Sequence, residues 1–358
     1  MTSSTKSEGG QEITIGMDQH RVAVFTGPGQ IQLRSESPLE PGPGEVLLQV
    51  RACALCTMEQ RLWQGAQDDY PIAAGHEAAG VVIAAHREGT LGLAAGERAA
   101  LAFLDRCMQC EACRRGETNL CTGKLRSRAR GTFRRIGGLA DFVVVPAWKV
   151  FRMPADLSFD EIALCEPVAC VIHSVHQARL RFGDDVLVIG GGTMGRLHLM
   201  LARLRGSRVF VSDPDPEKRR GALSHGASAA FPADETTSNI QQATGGRGVD
   251  AVFVTFGSQD TARQASEVVR RGGRIVYYGG FPEGIDSGLD PRRMHQEEIV
   301  VSGARGQTLE DWQEATRLLA AGLIDVKPLI TGRYPLNDLP QALEHAVRQS
   351  SFRIIVNP

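Results

Sequence analysis

Hydrophobic and polar positions change rhythm twice along this chain. A polar, small-residue opening over residues 1 to about 17 reads as a mobile tail. The runs RVAVF, IQLRSE and EVLLQVRA then alternate with a period of two and are separated by GPG and PGPG. That pattern predicts short strands joined by tight turns, so the opening half is expected to be β-rich. Over 160–182 the stretch FDEIALCEPVACVIHSVHQARL is apolar and of helix length. Beyond it DVLVIGGG reads as a buried strand, TMGRLHLMLARLRG as a helix ending on Gly206, and RVFVSD as another strand. DAVFVTF, QDTARQASEVVRRGG, RIVYYGG and EEIVVSG repeat the alternation, which predicts an α/β half built on a parallel sheet with helices on both faces. From about 308 a helix (LEDWQEATRLLAAG) and a last strand (FRIIVNP) close the chain, without a repeat of solenoid period.

A length of 358 residues suits two domains, and 42% hydrophobic with 23% charged residues is ordinary globular composition. The formal net charge of -1 gives no reason to expect nucleic acid or a membrane surface as partner, so a small molecule is expected. No stretch approaches the roughly 18 apolar residues of a membrane span, and the opening lacks an apolar signal core, so a cytoplasmic location is expected. In that compartment the eight cysteines are ligands or buried small side chains rather than disulfides.

Four of them, Cys107, Cys110, Cys113 and Cys121, have the spacing C-x2-C-x2-C-x7-C. Four thiolates this close can surround one tetrahedral Zn²⁺ and leave no position open, which predicts a structural site. The bacterial iron-sulfur run has x3 before its last Cys and a Pro after it, and neither is present. GGGTMG fits GxGxxG with Gly190, Gly192 and Gly195, leaves a predicted strand and opens a predicted helix, so its backbone N–H groups would face a pyrophosphate. Asp213 ends the next strand, where a carboxylate accepts from the adenosine ribose hydroxyls and repels a 2′-phosphate, so NAD is expected over NADP. A third set is scattered: Cys56, then Gly75, His76, Glu77 and Gly80 in GHEAAG, then Glu166 in CEPVA. Each alone would be unremarkable core filler, but together they offer a soft sulfur, an imidazole nitrogen and a carboxylate, a set able to hold Zn²⁺ with a position left for substrate.

On these residues, with GGLADFVVVP and RRGGRIVYYGG, the chain from about residue 20 resembles the zinc-dependent medium-chain dehydrogenases/reductases of the alcohol dehydrogenase superfamily. The EP pair around Glu166 is similar to the polyol and threonine dehydrogenase branches. The resemblance implies a GroES-like β-rich catalytic domain over 1–165, completed by 308–358, and a Rossmann NAD-binding domain over 166–307. It also implies two Zn²⁺ per chain, NAD, an alcohol or ketone substrate, and a homodimer or homotetramer. Catalytic zinc would rest on Cys56, His76 and either Glu77, which can ligate zinc in those branches, or Glu166, whose counterpart there sits behind the ligands or exchanges with water. Gly190, Gly192, Thr193, Met194, Gly195, Asp213, Lys218 and Arg353 would line the dinucleotide site. Cys165 and Cys170 are expected to pack within one helix.

The chain departs from the family where a proton relay usually begins. After the zinc Cys the family has Gly, Ser or Thr, then Asp, with a His two residues on; here Thr57, Met58, Glu59, Gln60 and Arg61 follow Cys56. Met58 has no hydroxyl to relay a proton, and Arg61 is a permanent cation rather than a base. Glu59 is expected to accept the second imidazole N–H of His76. The expected reaction is NAD-linked oxidation of a secondary alcohol of polyol or amino alcohol type. The missing hydroxyl also admits a reductase of a conjugated C=C bond, and a silent zinc- and nucleotide-binding protein is the non-enzymatic alternative. Lys124, Arg126, Arg128, Arg130, Arg134 and Arg135 form a basic stretch, read as a solvated loop, a subunit contact or a cationic rim for an anionic substrate.

Overall fold

The computed structural model describes residues 20–37, 40–66, 70–103, 105–123, 134–135, 137–348 and 350–358. The expected tail, and Lys124, Arg126, Arg128 and Arg130 of the basic stretch, lie outside these residues.

The first half is built of two sheets. His20–Gly27 folds back on Gln30–Glu36 as an antiparallel pair and continues through Ile72–Ala73 to Arg134–Arg135. The larger sheet forms round Glu45–Leu55, an 11-residue strand whose Val, Leu and Ala side chains are buried almost throughout. It pairs antiparallel with Glu77–Ala85, Phe142–Pro146 and the returning C-terminal strand Arg353–Asn357. Ile330–Pro335 lies outside that last strand, running parallel to it.

Strand register then decides what meets what. Ala54 is paired with Glu77, and Leu55 with Ile354. The end of the central strand therefore lies beside the start of two neighbours, which brings Cys56, His76, Glu77 and Arg353 to one edge from positions far apart in the chain.

The second half is a six-stranded parallel sheet. Numbered along this half, Asp185–Ile189, Arg208–Ser212, Ala229–Phe231, Val249–Val254, Val269–Tyr277 and Val300–Gly303 are ordered 3-2-1-4-5-6. This is the doubly wound order of dinucleotide-binding sheets, in which ligands sit outside the carboxyl ends of the strands. The short strand Ala229–Phe231 was not apparent from the sequence pattern, nor was the C-terminal pair Ile330–Pro335 and helix Leu339–Ala346.

The apolar stretch over 160–182 forms two helices, Phe159–Ala163 and Cys165–Ala178, rather than one. Pro167 explains the break, because its ring would meet the carbonyl of residue 163 in an unbroken helix. The second helix is buried along most of its length and joins the halves. One apolar cluster runs from Ala52 and Ala54 of the larger sheet of the first half through Val168 and Ile172 to Val186, Leu197 and Val211. The helix Leu309–Ala320 clamps the other side: buried Asp311 accepts from Thr308 N at its own N-terminus (2.7 Å) and from His173 and His176 of the joining helix (3.0 and 3.2 Å).

Candidate metal centres and dinucleotide site

Among the described residues, two groups of cysteine, histidine and acidic side chains bring at least three ligand atoms within 4.8 Å of one another. They are Cys107, Cys110, Cys113 and Cys121, and Cys56, His76 and Glu77.

The four-thiol lobe is organised by its own backbone. Cys107 N donates to Cys121 Sγ (3.3 Å) and Cys110 N to Cys107 Sγ (3.2 Å). Backbone N–H groups of Cys113 and Thr122 pull the Cys110 thiol down to about 5, while burial leads in pushing Cys113 up to about 12. A cluster that turns amide donors onto sulfur and packs four thiols together suits thiolates around a divalent cation, and the donor set fits tetrahedral zinc with no open position.

The second group is set in the core. Cys56 caps the helix Thr57–Gln64: its sulfur accepts from Met58 N (3.2 Å), and its N–H donates to Glu59 Oε2 (3.0 Å). Glu59 Oε1 accepts from Gly75 N (3.0 Å) and lies 3.2 Å from His76 Nδ1. The imidazole is thereby aimed, and its Nε2 lies 3.3 Å from Cys56 Sγ. Burial of Glu59 opposes its charge, but His76 and the Cys56 hydrogen bonds hold its carboxyl down at about 2. Burial, reinforced by the Glu59 charge, pushes the Cys56 thiol up to about 12. A buried sulfur that ionises only with difficulty, beside an oriented imidazole and carboxylates, is a site that needs a cation to become a thiolate. The residues present fit zinc.

The two acidic candidates differ in setting. Glu77, 1% exposed, forms a two-point ion pair with Arg353: Nε to Oε2 at 2.9 Å and Nη2 to Oε1 at 2.8 Å. Burial outweighs that pairing and, with the Glu166 charge, pushes Glu77 up to about 7. Glu166 accepts from Gln307 Nε2 (3.0 Å) and Cys170 Sγ (3.4 Å) and is not among the three atoms grouped with Cys56. Cys165 and Cys170 are buried on the joining helix. Met58 packs against the apolar core of the first half.

Arg353 links this group to the glycine-rich turn, since its Nη2 also lies 3.5 Å from Met194 Sδ. Gly190 sits at φ +102, and a side chain on Gly195 would run into the Gly190 carbonyl, so the turn is tight for a steric reason. Gly192 caps the helix Thr193–Leu204 and faces open space, which leaves the amides of that N-terminus approachable by a phosphate. Asp213, 6% exposed, accepts from Gly191 N (2.7 Å) and Asp215 N (2.8 Å). Lys218 lies beside Gly191 and is partly buried. The cradle fits a dinucleotide.

Two supporting residues were not identified from the sequence. Gln307 holds Glu166 from the start of the last helix pair. Arg196, 4% exposed, donates from Nε to Gly191 O (3.2 Å) and from Nη2 to Lys218 O (3.0 Å), tying the glycine-rich turn to the next helix. An arginine directly after the third glycine, on an otherwise apolar helix face, was the available signal.

Residues 42–155 match the alcohol dehydrogenase GroES-like domain and residues 193–321 the zinc-binding dehydrogenase domain. A 2-dehydro-3-deoxy-L-galactonate 5-dehydrogenase from Pseudoalteromonas atlantica is 31% identical over 327 residues, 89% of this chain and 93% of that protein. The chain belongs to the zinc-binding alcohol dehydrogenase family. An L-galactonate-5-dehydrogenase from Escherichia coli is 28% identical to this dehydrogenase, over 92% of this chain and 96% of its own length. A zinc-binding dehydrogenase from Sinorhizobium meliloti, solved with NADP, superposes with a TM-score of 0.86 at 29% identity, covering 95% of this chain and 99% of the other. As a family member the protein is an oxidoreductase acting on CH–OH groups with zinc and a nicotinamide cofactor. No helix among the described residues is long and apolar enough to cross a membrane.

Proposed function

We propose that the protein oxidises a secondary hydroxyl of a polyhydroxylated substrate with NAD, at a zinc ion held by Cys56, His76 and Glu77. The observation that carries this reading is Arg353, one buried guanidinium touching both Glu77 of the ligand group and Met194 of the glycine-rich turn. Cofactor cradle and metal ligands are thus within one side chain of each other, the proximity hydride transfer needs. When bound, zinc supplies Lewis-acid stabilisation of negative charge on oxygen and the nicotinamide ring accepts the hydride.

The chain's own residues do the rest. Glu59 fixes the His76 ring and favours the proton on Nδ1, leaving Nε2 to point toward Cys56. Arg353 restrains Glu77 and compensates its charge in the core. Glu166, held by Gln307, stands as the nearby carboxylate for a proton or water. With Met58 lacking a hydroxyl, the proton leaves through water, Glu59 or Glu166, or a neighbouring hydroxyl of the substrate. Asp213, fixed by Gly191 and Asp215 amides, supports NAD over NADP because a 2′-phosphate would face its charge. Two of the related dehydrogenases are named for galactonate substrates, which supports a polyol or sugar acid here.

Assignment of 1–165 with 308–358 to catalysis and 166–307 to the nucleotide is part of this reading, supported by the pairing of Arg353–Asn357 with Glu45–Leu55. So is a homodimer or homotetramer: Val300–Gly303 is an edge strand with Val300 40% exposed, an open ladder that a second copy can extend. A cytoplasmic setting is consistent with eight free cysteines. The direct test follows absorbance of NADH over a panel of alditols, aldonates, amino alcohols and enals. Turnover of an alditol or an aldonate supports the reading, and turnover of an amino alcohol or an enal alone would overturn it.

A further inference from the structure

Of the carboxylates brought to the catalytic edge, each is already engaged: Glu59 by His76 and two amides, Glu77 by Arg353, Glu166 by Gln307. Of the two arginines there, Arg353 is buried and neutralised by Glu77. Arg61 is different. It lies on the helix that Cys56 caps, its side chain is exposed, and among the described residues its guanidinium has no hydrogen bond or ion pair.

The Arg61 side chain reaches across to the other half of the molecule. Its Nη2 lies 3.8 Å from where a side chain on Gly280 would begin. Gly280 follows the strand Val269–Tyr277 at the carboxyl end of the parallel sheet, the end at which doubly wound sheets bind ligands. Because Gly280 has no side chain, nothing of its own competes for the guanidinium, and its carbonyl is packed tightly against Gly257, which fixes the loop.

We propose that Arg61 anchors an anionic group of the substrate, so that the substrate class is a polyhydroxy acid with its carboxylate several carbons from the hydroxyl that is oxidised. This rests on the dehydrogenase reading above and narrows its substrate. Two distances favour a substrate carboxylate over the cofactor's phosphates. Along the helix, the Arg61 backbone is five residues past Cys56, about 7.5 Å of rise, which sets the guanidinium apart from the ligand group and suits an acid longer than a 2-hydroxy acid. The strand before Gly280 is two places from the strand before the glycine-rich turn, about 10 Å at normal sheet spacing, and that turn has its own amides for the pyrophosphate. A planar guanidinium pairs with a carboxylate through two parallel hydrogen bonds, which gives both affinity and orientation. The same substitution that removes the family's relay histidine thus installs a recognition group.

The test uses the full-length zinc-loaded protein and matched aldonate and alditol pairs of the same carbon chain. For wild type, kcat/KM should favour the aldonate. In Arg61→Gln the aldonate/alditol ratio should fall by about 10- to 100-fold, the loss expected for a charge-assisted contact, carried by KM for the acid rather than by kcat. Arg61→Lys should recover part of the ratio, and the NADH dissociation constant should stay put. An unchanged ratio, or a loss confined to NADH affinity, would overturn the proposal, the latter pointing to the cofactor's phosphates instead. Calorimetric binding of the aldonate to the enzyme–NADH complex separates this from the reading it rests on. If neither substrate class is turned over, the polyhydroxylated-substrate reading fails, and equal aldonate binding by wild type and Arg61→Gln would show that the anchor fails too.

Discussion

The four-thiol lobe and the Cys56 group offer zinc overlapping ligand types in opposite settings. In the lobe, three of four sulfurs are partly exposed and the backbone supplies the organisation, with amides of Cys107 and Cys110 aimed at neighbouring sulfurs. In the Cys56 group the surroundings are the molecular core, and organisation comes from charges: Glu59 behind His76 and Arg353 behind Glu77. The difference teaches what each site is for. A closed, local, four-sulfur lobe contributes folding free energy when metal binds, whereas a mixed set of three ligands assembled from two neighbouring strand ends leaves a coordination position for chemistry.

The sharpest way to break this contrast is Cys56→Ser. Removing a ligand from the mixed site is expected to lower kcat/KM by about 10³-fold or more, because several kcal/mol of Lewis-acid stabilisation go with the ion. The melting temperature should move little. An active Cys56→Ser enzyme would put the chemistry elsewhere.

Glu59→Gln asks whether charge behind the histidine matters, beyond shape. Loss of a ligand-orienting partner typically costs about 10- to 100-fold in metal affinity or activity, so zinc should leave this site at lower chelator concentration while the lobe keeps its ion. Equal chelator sensitivity in Glu59→Gln and wild type would remove the orienting role.

A third experiment probes the clamp that keeps the two halves in place. Burial works against the charge of Asp311, yet His173, His176 and Thr308 hold its carboxyl well below the usual range, and the hydrogen bond to Asp311 raises His176. The lowered acid contributes stability that is present above about pH 4 and lost as pH falls; the raised histidine contributes below about pH 6.5 and loses it as pH rises. Asp311→Asn should therefore cost about 2 kcal/mol, most between those limits and less on either side. A denaturation series from pH 3 to 9 reads this directly, and a pH-independent difference would mean the pairing is not what stabilises the clamp.

The smallest expected effect concerns the cofactor. NAD should be preferred by about tenfold or more, and Asp213→Ser should narrow that gap, measured as the ratio of kcat/KM for NAD and NADP. Equal kinetics for the wild type would show that Asp213 does not face the ribose.

How much of this could be read from the sequence follows the same divide. The lobe is a spacing within fifteen residues, and the nucleotide half is a strand, a glycine-rich turn and a helix in immediate succession, so local pattern was enough for both. Cys56, His76, Glu77 and Glu166 were legible only as a family constellation, because strand register rather than spacing brings the first three together. The Arg353–Glu77 pair joins residues 276 positions apart, and no periodicity encodes such a contact; the sequence places Arg353 at the cofactor alone. The split of the joining helix was written in Pro167, but the apolar run around it masked the signal. Gln307 and Asp311 act through contacts made only once the helix Leu309–Ala320 returns to the joining one.

The most direct test of two unlike zinc sites is a metal count by mass spectrometry on full-length wild type, Cys56→Ser and Cys110→Ser, with turnover and melting temperature measured on the same samples. Two zinc ions per wild-type chain are expected and about one in each variant, with turnover lost in Cys56→Ser and stability lost in Cys110→Ser. One zinc ion per wild-type chain, with Cys56→Ser fully active, would contradict it.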